Sequence, residues 1–155
     1  MNTKTKSLNQ PTSLMEVNNI SHSFDYKLFS NINLQIKSNE TIAITGISGC
    51  GKSTFLNILS SLLKPNSGSI IYNDKNIYEC KEDDITQIRR DDFGIIFQSH
   101  YLFRGFNAVE NLSISSILNN QDIDYDLLKE LKIDHIINQN IGELSGGQQQ
   151  RLSIA

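Results

Sequence analysis

The segment from Gly46 to Ser53 has the residue types and the spacing needed to hold phosphate. Its sequence, GISGCGKS, fits the pattern GxxxxGK followed by Ser or Thr, in which glycines let consecutive backbone N–H groups turn toward phosphate oxygens. Lys52 offers a mobile charge to the β- and γ-phosphates, and Ser53 offers a hydroxyl to Mg²⁺. A helix beginning near Lys52 would add the positive end of its dipole. We therefore predict a nucleotide-phosphate site, in preference to a glycine-rich turn that only reverses the chain.

The two cysteines, Cys50 and Cys80, lie far apart and form no CxxC pair, which indicates neither a disulfide framework nor a zinc site. Cys50 lies inside the phosphate loop beside a predicted helix N-terminus, where a thiol can become reactive. A redox switch at Cys50 is therefore one interpretation. We favour the other, a small side chain tolerated at a variable loop position.

A second anion site is indicated near the end of the chain, in the sequence LSGGQQQR. Ser145 and Gln148 have the spacing of a capping box, so Ser145 is predicted to cap a helix. Gly146 and Gly147 would leave the first N–H groups of that helix open to an anion. An ordinary capped helix without a ligand is the alternative interpretation.

The hydrophobic pattern predicts the elements that must position these motifs. Alternation from Leu14 to Ile36 predicts two antiparallel strands, and a strand over Thr41–Thr45 leads into the phosphate loop. Lys52–Leu63 carries an apolar stripe at helical spacing. The continuous apolar run Phe93–Phe97 is typical of a strand buried on both faces of a parallel sheet.

The rest of the pattern completes an α/β arrangement. Ser69–Tyr72 predicts a short strand that ends in a turn at Asn73–Asp74. Residues 106–139 are predicted to be mostly helical, and Asn107 and Glu110 form an N-cap pair at their start. Strands that alternate with helices are typical of an α/β protein.

Composition excludes several classes of protein. The chain has 155 residues, 38% of them hydrophobic and 20% charged, so neither a disordered chain nor a membrane bundle fits. The formal net charge of -3 argues against a dedicated nucleic-acid binder. The N-terminal segment lacks the apolar stretch of a signal peptide, and no run approaches the roughly 18 apolar residues of a membrane span. We expect a soluble cytoplasmic chain whose membrane role, if any, comes through a partner.

Together, GISGCGKST and LSGGQQQR resemble the nucleotide-binding domain of ABC transporters, whose signature is LSGGQ. The segment IRRDDFGIIFQSHYLFRGFNAVEN, residues 88–111, is most similar to the macrolide-exporter and lipoprotein-releasing branch. The resemblance implies a P-loop NTPase fold of ABC type over residues 14–155, after a flexible tail at residues 1–13. That fold has an antiparallel β subdomain, a parallel core sheet that is incomplete here, and a helical subdomain over residues 99–140.

The resemblance also implies the cofactors, ATP and Mg²⁺, and a set of site residues. Lys52 and Gln98 would act in catalysis, and Ser53 and Gln98 would contact the metal. Phe24 would stack on adenine, with Tyr26 the weaker candidate. The phosphate contacts would come from the whole loop: Gly46, Ser48, Gly49, Cys50, Gly51, Lys52, Ser53 and Thr54.

Two kinds of partner follow from the same resemblance. Ser145, Gly147 and Gln148 would bind the γ-phosphate of ATP held by a second, head-to-tail copy of the domain. A groove near Gln98 would receive a short cytoplasmic helix of a separate transmembrane permease, which would hold the chain at the inner face of the membrane. Four residues would supply the apolar surface of that groove: Tyr101, Leu102, Phe103 and Phe106. Burial of some of them in the hydrophobic core is an equally good interpretation.

Departures from the family pattern limit what the resemblance implies. Asn39 stands where the family usually has glycine, and asparagine tolerates the left-handed conformation better than most residues. The family continues beyond its signature with a Walker B aspartate, a catalytic glutamate and a switch histidine, whereas this sequence ends at Ala155. The acidic pairs Asp83–Asp84 and Asp91–Asp92 close no apolar strand and predict a solvated charged face instead.

We therefore expect a truncated cassette, an ABC-type ATPase by resemblance but inactive alone. The leading function is the ATP-binding subunit of a membrane exporter. The alternatives are a non-hydrolysing remnant that binds nucleotide weakly and a non-transport ABC protein.

Overall fold

A computed structural model describes residues 13–155 of the chain. These residues divide into two compact units, one that ends at Phe93 and one that spans Gly94–Ala155. The predicted tail at residues 1–13 lies outside the described residues except for Ser13, which begins the first strand.

The first unit contains a four-stranded antiparallel sheet. Its strands are β1 (Ser13–Ser23), β2 (Lys27–Lys37), β3 (Ser67–Tyr72) and β4 (Lys75–Asn76), in the order β2-β1-β3-β4. The predicted antiparallel pair is confirmed as β1 and β2. The predicted turn joins β3 to β4, with φ of 46° at Asn73 and 63° at Asp74, as tight hairpin turns require.

Two helices accompany this sheet, α1 (Lys52–Leu59) and α2 (Glu82–Asp91). α1 is shorter than the predicted Lys52–Leu63 because the chain turns into the left-handed region at Ser61, with φ of 61°. The N–H of Leu62 donates to the carbonyl of Asn57 at 2.8 Å, which closes the helix as a Schellman motif does. Serine is an unusual residue for that conformation, so the end of the helix carried no clear sequence signal.

The core of the first unit lies against the sheet and α1. Its fully buried side chains include Val17 and Ile20 of β1, Ile58 of α1 and Ile70 of β3. Phe55 of α1 joins the same cluster. The predicted helical stripe is confirmed in part. Phe55 is buried, and Leu59 and Leu63 pack partly buried against the core, whereas Leu56 and Leu62 are exposed. Asn39 lies in the turn that follows β2 and has φ of 62°. This is the left-handed conformation expected where asparagine replaces glycine.

Two predicted strands are not formed among residues 13–155. Thr41–Thr45 and Phe93–Phe97 do not form strands, and the described residues contain no parallel strand pair. The prediction of these strands is therefore wrong for the described structure. An apolar run indicates only a tendency to be buried, whereas a strand also needs a neighbour to accept and donate its ladder hydrogen bonds. Without one, Ile96 and Ile42 remain exposed.

The second unit is helical. It contains α3 (Ala108–Asn119), α4 (Tyr125–Glu130) and α5 (Gly146–Leu152), with short 3₁₀ turns at Asp134–Ile136 and Ile141–Glu143. The predicted cap of α3 is confirmed: the N–H of Glu110 donates to Asn107 Oδ1 at 2.9 Å, and the N–H of Asn107 donates to Glu110 Oε2 at 2.8 Å.

A second hydrophobic core holds these helices together, formed by buried side chains from each of them: Ala108, Leu112, Leu128, Ile133, Ile136, Ile141, Leu144 and Leu152. The longest helix described, α3, has 12 residues. None of the helices in the described part of the chain is long and apolar enough to cross a membrane.

Candidate functional site

The phosphate loop ends at Gly51, which is the N-cap of α1. Gly51 has φ of 95° and gives α1 no side-chain cap, so the first N–H groups of the helix keep their donors for an outside acceptor. A Cβ at Gly51 would lie 3.0 Å from Phe29 Cδ1. Both the backbone conformation and the closeness of Phe29 therefore require glycine here.

The loop folds tightly upon itself on the other side of Cys50. A Cβ at Gly46 would lie 2.7 Å from Cys50 Sγ, so the half-buried thiol occupies the space that glycine leaves. Lys52 Nζ lies 4.0 Å from the same sulfur. Cys50 thus fills a gap within the loop, which agrees with the interpretation of a small, tolerated side chain.

Lys52 lies over the loop. Its ammonium donates to the carbonyls of Gly46 and Ile47 at 2.9 and 2.8 Å. Among residues 13–155 it has no carboxylate within ion-pair distance. Its positive charge is therefore not neutralised, and it sits beside the uncapped start of α1. An anion bound there would meet both.

The remaining phosphate-loop residues lie in the same loop and the first turn of α1. Ser48, Gly49 and Ser53 are exposed, and Thr54 is half-buried. The structure thus brings together all eight loop residues that the sequence singled out, with the Ser53 hydroxyl open to solvent at the first turn.

Both candidates for the adenine contact lie at the turn between β1 and β2. Phe24 is 59% exposed and Tyr26 is 64% exposed, and the N–H of Phe24 donates to the carbonyl of Tyr26 at 3.1 Å. The two side chains differ in how they pack. The Phe24 ring packs edge-to-face on His22, with ring centroids 4.8 Å apart, and Phe24 is therefore the better anchored of the two.

Gln98 and the signature residues belong to the second unit, whereas the phosphate loop and Phe24 belong to the first. Gln98 is exposed and follows Phe97, whose ring packs edge-to-face on Tyr101 at 5.0 Å. Tyr101, Phe103 and Phe106 are exposed, and Leu102 is half-buried against the second core. Of these four residues, Leu102 alone therefore packs against that core.

The signature forms the predicted capping box. The N–H of Ser145 donates to Gln148 Oε1 at 2.8 Å, and the N–H of Gln148 donates to Ser145 Oγ at 3.3 Å. Ser145, Gly146 and Gly147 are exposed, and nothing lies within 4 Å of a Cβ placed at Gly146. The start of α5 therefore faces solvent rather than the interior of its own unit.

Sequence reasoning missed several polar contacts that hold these motifs. Gln149 Nε2 donates to the carbonyls of Ile141 and Leu144, both at 3.0 Å, and so ties the signature to the preceding turn. A further capping box joins Asn140 and Glu143, and its N-x-x-E spacing was a readable signal. No comparable signal marked Gln149, because its partners are carbonyls five and eight residues away.

The far end of α1 is also held by side chains that the sequence did not single out. Tyr78 Oη lies 2.6 Å from the carbonyl oxygen of Ile58 and 2.8 Å from that of Leu63, and these two acceptors share its single proton. Arg89 donates to the carbonyl of Ser61 at 2.6 Å. Burial raises the pKa of Tyr78 well above its usual value, and the nearby Arg89 charge opposes that rise only in part. The phenol is therefore a neutral donor to the carbonyls at the end of α1.

Comparison with known proteins gives consistent matches along the chain. The family model described as ABC transporter matches residues 29–155. The lipoprotein-releasing system ATP-binding protein LolD of Buchnera aphidicola is 36% identical over 137 residues, covering 84% of this chain. The macrolide export ATP-binding/permease protein MacB of Wolinella succinogenes is 35% identical over 153 residues, covering 92% of this chain. The match spans 60% of the length of that LolD protein and 24% of that MacB protein.

The fold also matches solved structures of ATP-binding cassettes. A dimeric structure of the ATP-binding cassette MJ0796 in a post-hydrolysis state, bound to ADP and Pi, matches with a TM-score of 0.79 and 31% identity. The match covers 90% of this chain and 67% of that one. The antiparallel sheet, the phosphate loop with its helix and the signature helix are thus parts of an ABC cassette fold, and the chain belongs to the ABC transporter family.

Proposed function

We propose that this chain binds ATP together with Mg²⁺ at its phosphate loop and serves as the ATP-binding subunit of a membrane exporter. The main support is the uncapped start of α1 beside the positive charge of Lys52, which no carboxylate of the described residues neutralises. Gly51 also permits the left-handed conformation with which the loop enters α1, and the exposed Ser53 hydroxyl is an oxygen ligand of the kind that Mg²⁺ prefers. The residues present therefore fit both groups.

Each predicted residue has a distinct proposed task. The backbone of Gly46, Ser48, Gly49, Cys50, Gly51 and Thr54 would surround the phosphates. Lys52 would stabilise charge on the transferred phosphoryl group, and Gln98 would orient the attacking water or the metal. Bound Mg²⁺ would neutralise charge on the β- and γ-phosphates. Phe24 would stack on adenine.

The signature supports a proposed role for a second copy of the chain. Ser145, Gly147 and Gln148 would meet the γ-phosphate held by that copy in a head-to-tail dimer. The support is the exposed start of α5 together with the similarity to a cassette whose structure is described as dimeric.

A separate permease is the proposed membrane partner. LolD is named as part of a lipoprotein-releasing system and MacB as an ATP-binding/permease protein. By analogy, the chain would lie on the cytoplasmic face of the membrane, held there by a permease that contacts the surface near Gln98. Exposed Tyr101, Phe103 and Phe106 offer apolar area for that contact.

We also propose that hydrolysis by the 155-residue chain alone is slow. Three acidic residues, Glu82, Asp83 and Asp84, lie exposed in the first turn of α2, where the positive end of the helix dipole stabilises them. Asp91, at the other end of α2, pairs with Arg90. Among residues 13–155, no carboxylate lies within ion-pair distance of Lys52 at the loop, and a general base contributes about 10²- to 10⁴-fold in rate. Release of labelled phosphate by purified chain at a rate typical of ABC ATPases would contradict this proposal.

Replacement of Lys52 tests ATP binding directly. Hydrogen bonds to a charged group contribute roughly 1.5–3 kcal/mol, so Lys52→Ala should weaken Mg-ATP binding by about 10- to 150-fold in titration calorimetry. Lys64→Ala is the matched control, because Lys64 is exposed and lies past the end of α1. The proposal fails if native chain shows no Mg-ATP binding, or if both variants bind as the native chain does.

A further inference from the structure

His22 is a buried histidine with no hydrogen bond. Only 5% of its surface is exposed, and within the described chain neither Nδ1 nor Nε2 has a partner. Buried polar atoms nearly always find a partner, since an unpaired one costs stability. An apolar residue would fit this place at lower cost, so the imidazole calls for a role other than filling the core.

The surroundings of His22 are aromatic. Its ring meets Phe24 edge-to-face at 4.8 Å and 85°, and it lies 6.4 Å from Phe29 on the opposite strand. Phe29 in turn packs on Phe55 of α1 at 5.6 Å and 79°. A continuous line of rings therefore runs from the exposed Phe24 to the helix of the phosphate loop.

The two ends of this line are fixed to different degrees. His22 and Phe29 are paired across β1 and β2, and Phe29 Cδ1 lies 3.0 Å from the position of a Cβ on Gly51. Phe24 lies in the turn beyond β1, outside any ladder. The orientation of the Phe24 ring therefore depends on the side chain beneath it, and 59% of its surface remains free.

We propose that His22 is a positioning residue for Phe24. The edge-to-face contact between the two rings holds the Phe24 ring at a fixed angle, and Phe29 ties that angle to the phosphate loop. Edge-to-face contact between rings is directional, whereas an aliphatic side chain of similar size supplies volume without direction. This inference rests on the proposed role of Phe24 in stacking on adenine.

The test compares two ligands that differ in the base. Mg-ATP reaches both Phe24 and the phosphate loop, whereas Mg-tripolyphosphate reaches only the loop. An aromatic pair of this kind corresponds to about 2- to 10-fold in affinity. His22→Leu should therefore weaken Mg-ATP binding by that factor and leave Mg-tripolyphosphate binding within twofold of native. Its melting temperature should not fall, because the substitution removes two unpaired buried nitrogens.

Three further variants make the outcomes decisive. The measured quantity is the ratio of the affinity for Mg-ATP to the affinity for Mg-tripolyphosphate. His22→Phe keeps an aromatic ring and should show the native ratio, whereas His22→Met should behave as His22→Leu does. Phe24→Ala should lower the ratio at least as far. The inference is overturned if His22→Leu and His22→Met weaken the binding of both ligands equally, or if neither variant unfolds cooperatively. Either result would mean that His22 serves only the fold.

Phe24→Ala separates the role of His22 from the proposed adenine contact of Phe24. If Phe24→Ala lowers the ratio and His22→Leu does not, the inference is overturned and the adenine role of Phe24 stands. If Phe24→Ala leaves the ratio at its native value, the adenine role itself is wrong and the inference falls with it.

Discussion

At the scale of single residues, the candidate phosphate site depends on the missing side chain of Gly51 as much as on the charge of Lys52. Gly51 has no Cβ, which leaves room for Phe29 and permits φ of 95°. Its lack of a capping side chain also leaves the first N–H groups of α1 open. Lys52 then supplies the one charge that an incoming triphosphate needs from a mobile side chain.

Gly51→Ala should harm both folding and binding. A left-handed non-glycine residue costs about 1–2 kcal/mol, and Phe29, 3.0 Å from the new Cβ, must also give way. We expect the free energy of unfolding in urea to fall by about 1–3 kcal/mol, with weaker Mg-ATP binding to the folded fraction. Gly142→Ala is the control, because nothing lies within 4 Å of its Cβ position. Equal stability of the two variants would show that the loop relaxes without strain.

At the scale of elements, α1 is held at its far end by tertiary contacts. Its final turn closes at Ser61, and the hydroxyl of Tyr78 and the guanidinium of Arg89 satisfy carbonyls in that turn. An eight-residue helix is too short to be stable by itself in water. The helix that would bind phosphate is therefore positioned by residues that never approach the phosphate.

Removing the Tyr78 hydroxyl should change how stability depends on pH. The pKa of Tyr78 is raised by burial in the folded chain, above its unfolded value of about 10. Its contribution is thus complete below about pH 10 and is lost as pH rises through the folded pKa. Tyr78→Phe should lower stability by about 1–3 kcal/mol near neutral pH and flatten the decline above about pH 10.

Urea unfolding at a series of pH values measures both effects. Tyr125→Phe serves as the control because Tyr125 is 51% exposed. Some decline at high pH should persist in Tyr78→Phe, since burial, helped by the charge of Asp92, also raises the pKa of Tyr72. An unchanged slope in Tyr78→Phe would mean that its phenol is not buried in solution.

At the scale of the whole molecule, the two motifs that would grip ATP belong to separate compact units with separate cores. The first unit carries the uncapped start of α1, and the second carries the exposed start of α5. The proposed dimer would bring the α5 of one copy to the nucleotide of the other, so binding and dimerisation should be linked.

A negative charge at the start of α5 should separate folding from dimerisation. Gly146 is exposed with free space around it, and an acidic residue in the first turn of a helix is stabilising. Gly146→Asp should therefore keep or raise the melting temperature but repel a partner's γ-phosphate. Sedimentation should show that Mg-ATP drives native chain to a dimer and leaves Gly146→Asp monomeric. Gly142→Asp is the control, and ATP-driven dimerisation of Gly146→Asp would exclude the proposed contact.

The sequence by itself determined the features whose hydrogen bonds are local. The phosphate loop, the caps at Asn107 and Ser145, and the hairpin of β1 and β2 all depend on residues close together in the chain, so their spacing was sufficient. The resemblance to ABC transporters rested on two such motifs, and the family match confirmed it.

Only the tertiary structure decided the features that depend on distant neighbours. The apolar runs Thr41–Thr45 and Phe93–Phe97 predicted strands, but a strand exists only with a partner, which spacing along one segment cannot reveal. The support of α1 by Tyr78 joins residues 20 and 15 positions apart. The burial of His22 under Phe24 depends on how the β1–β2 turn folds over its own strand, because side-chain packing, unlike helix capping, has no fixed spacing in sequence.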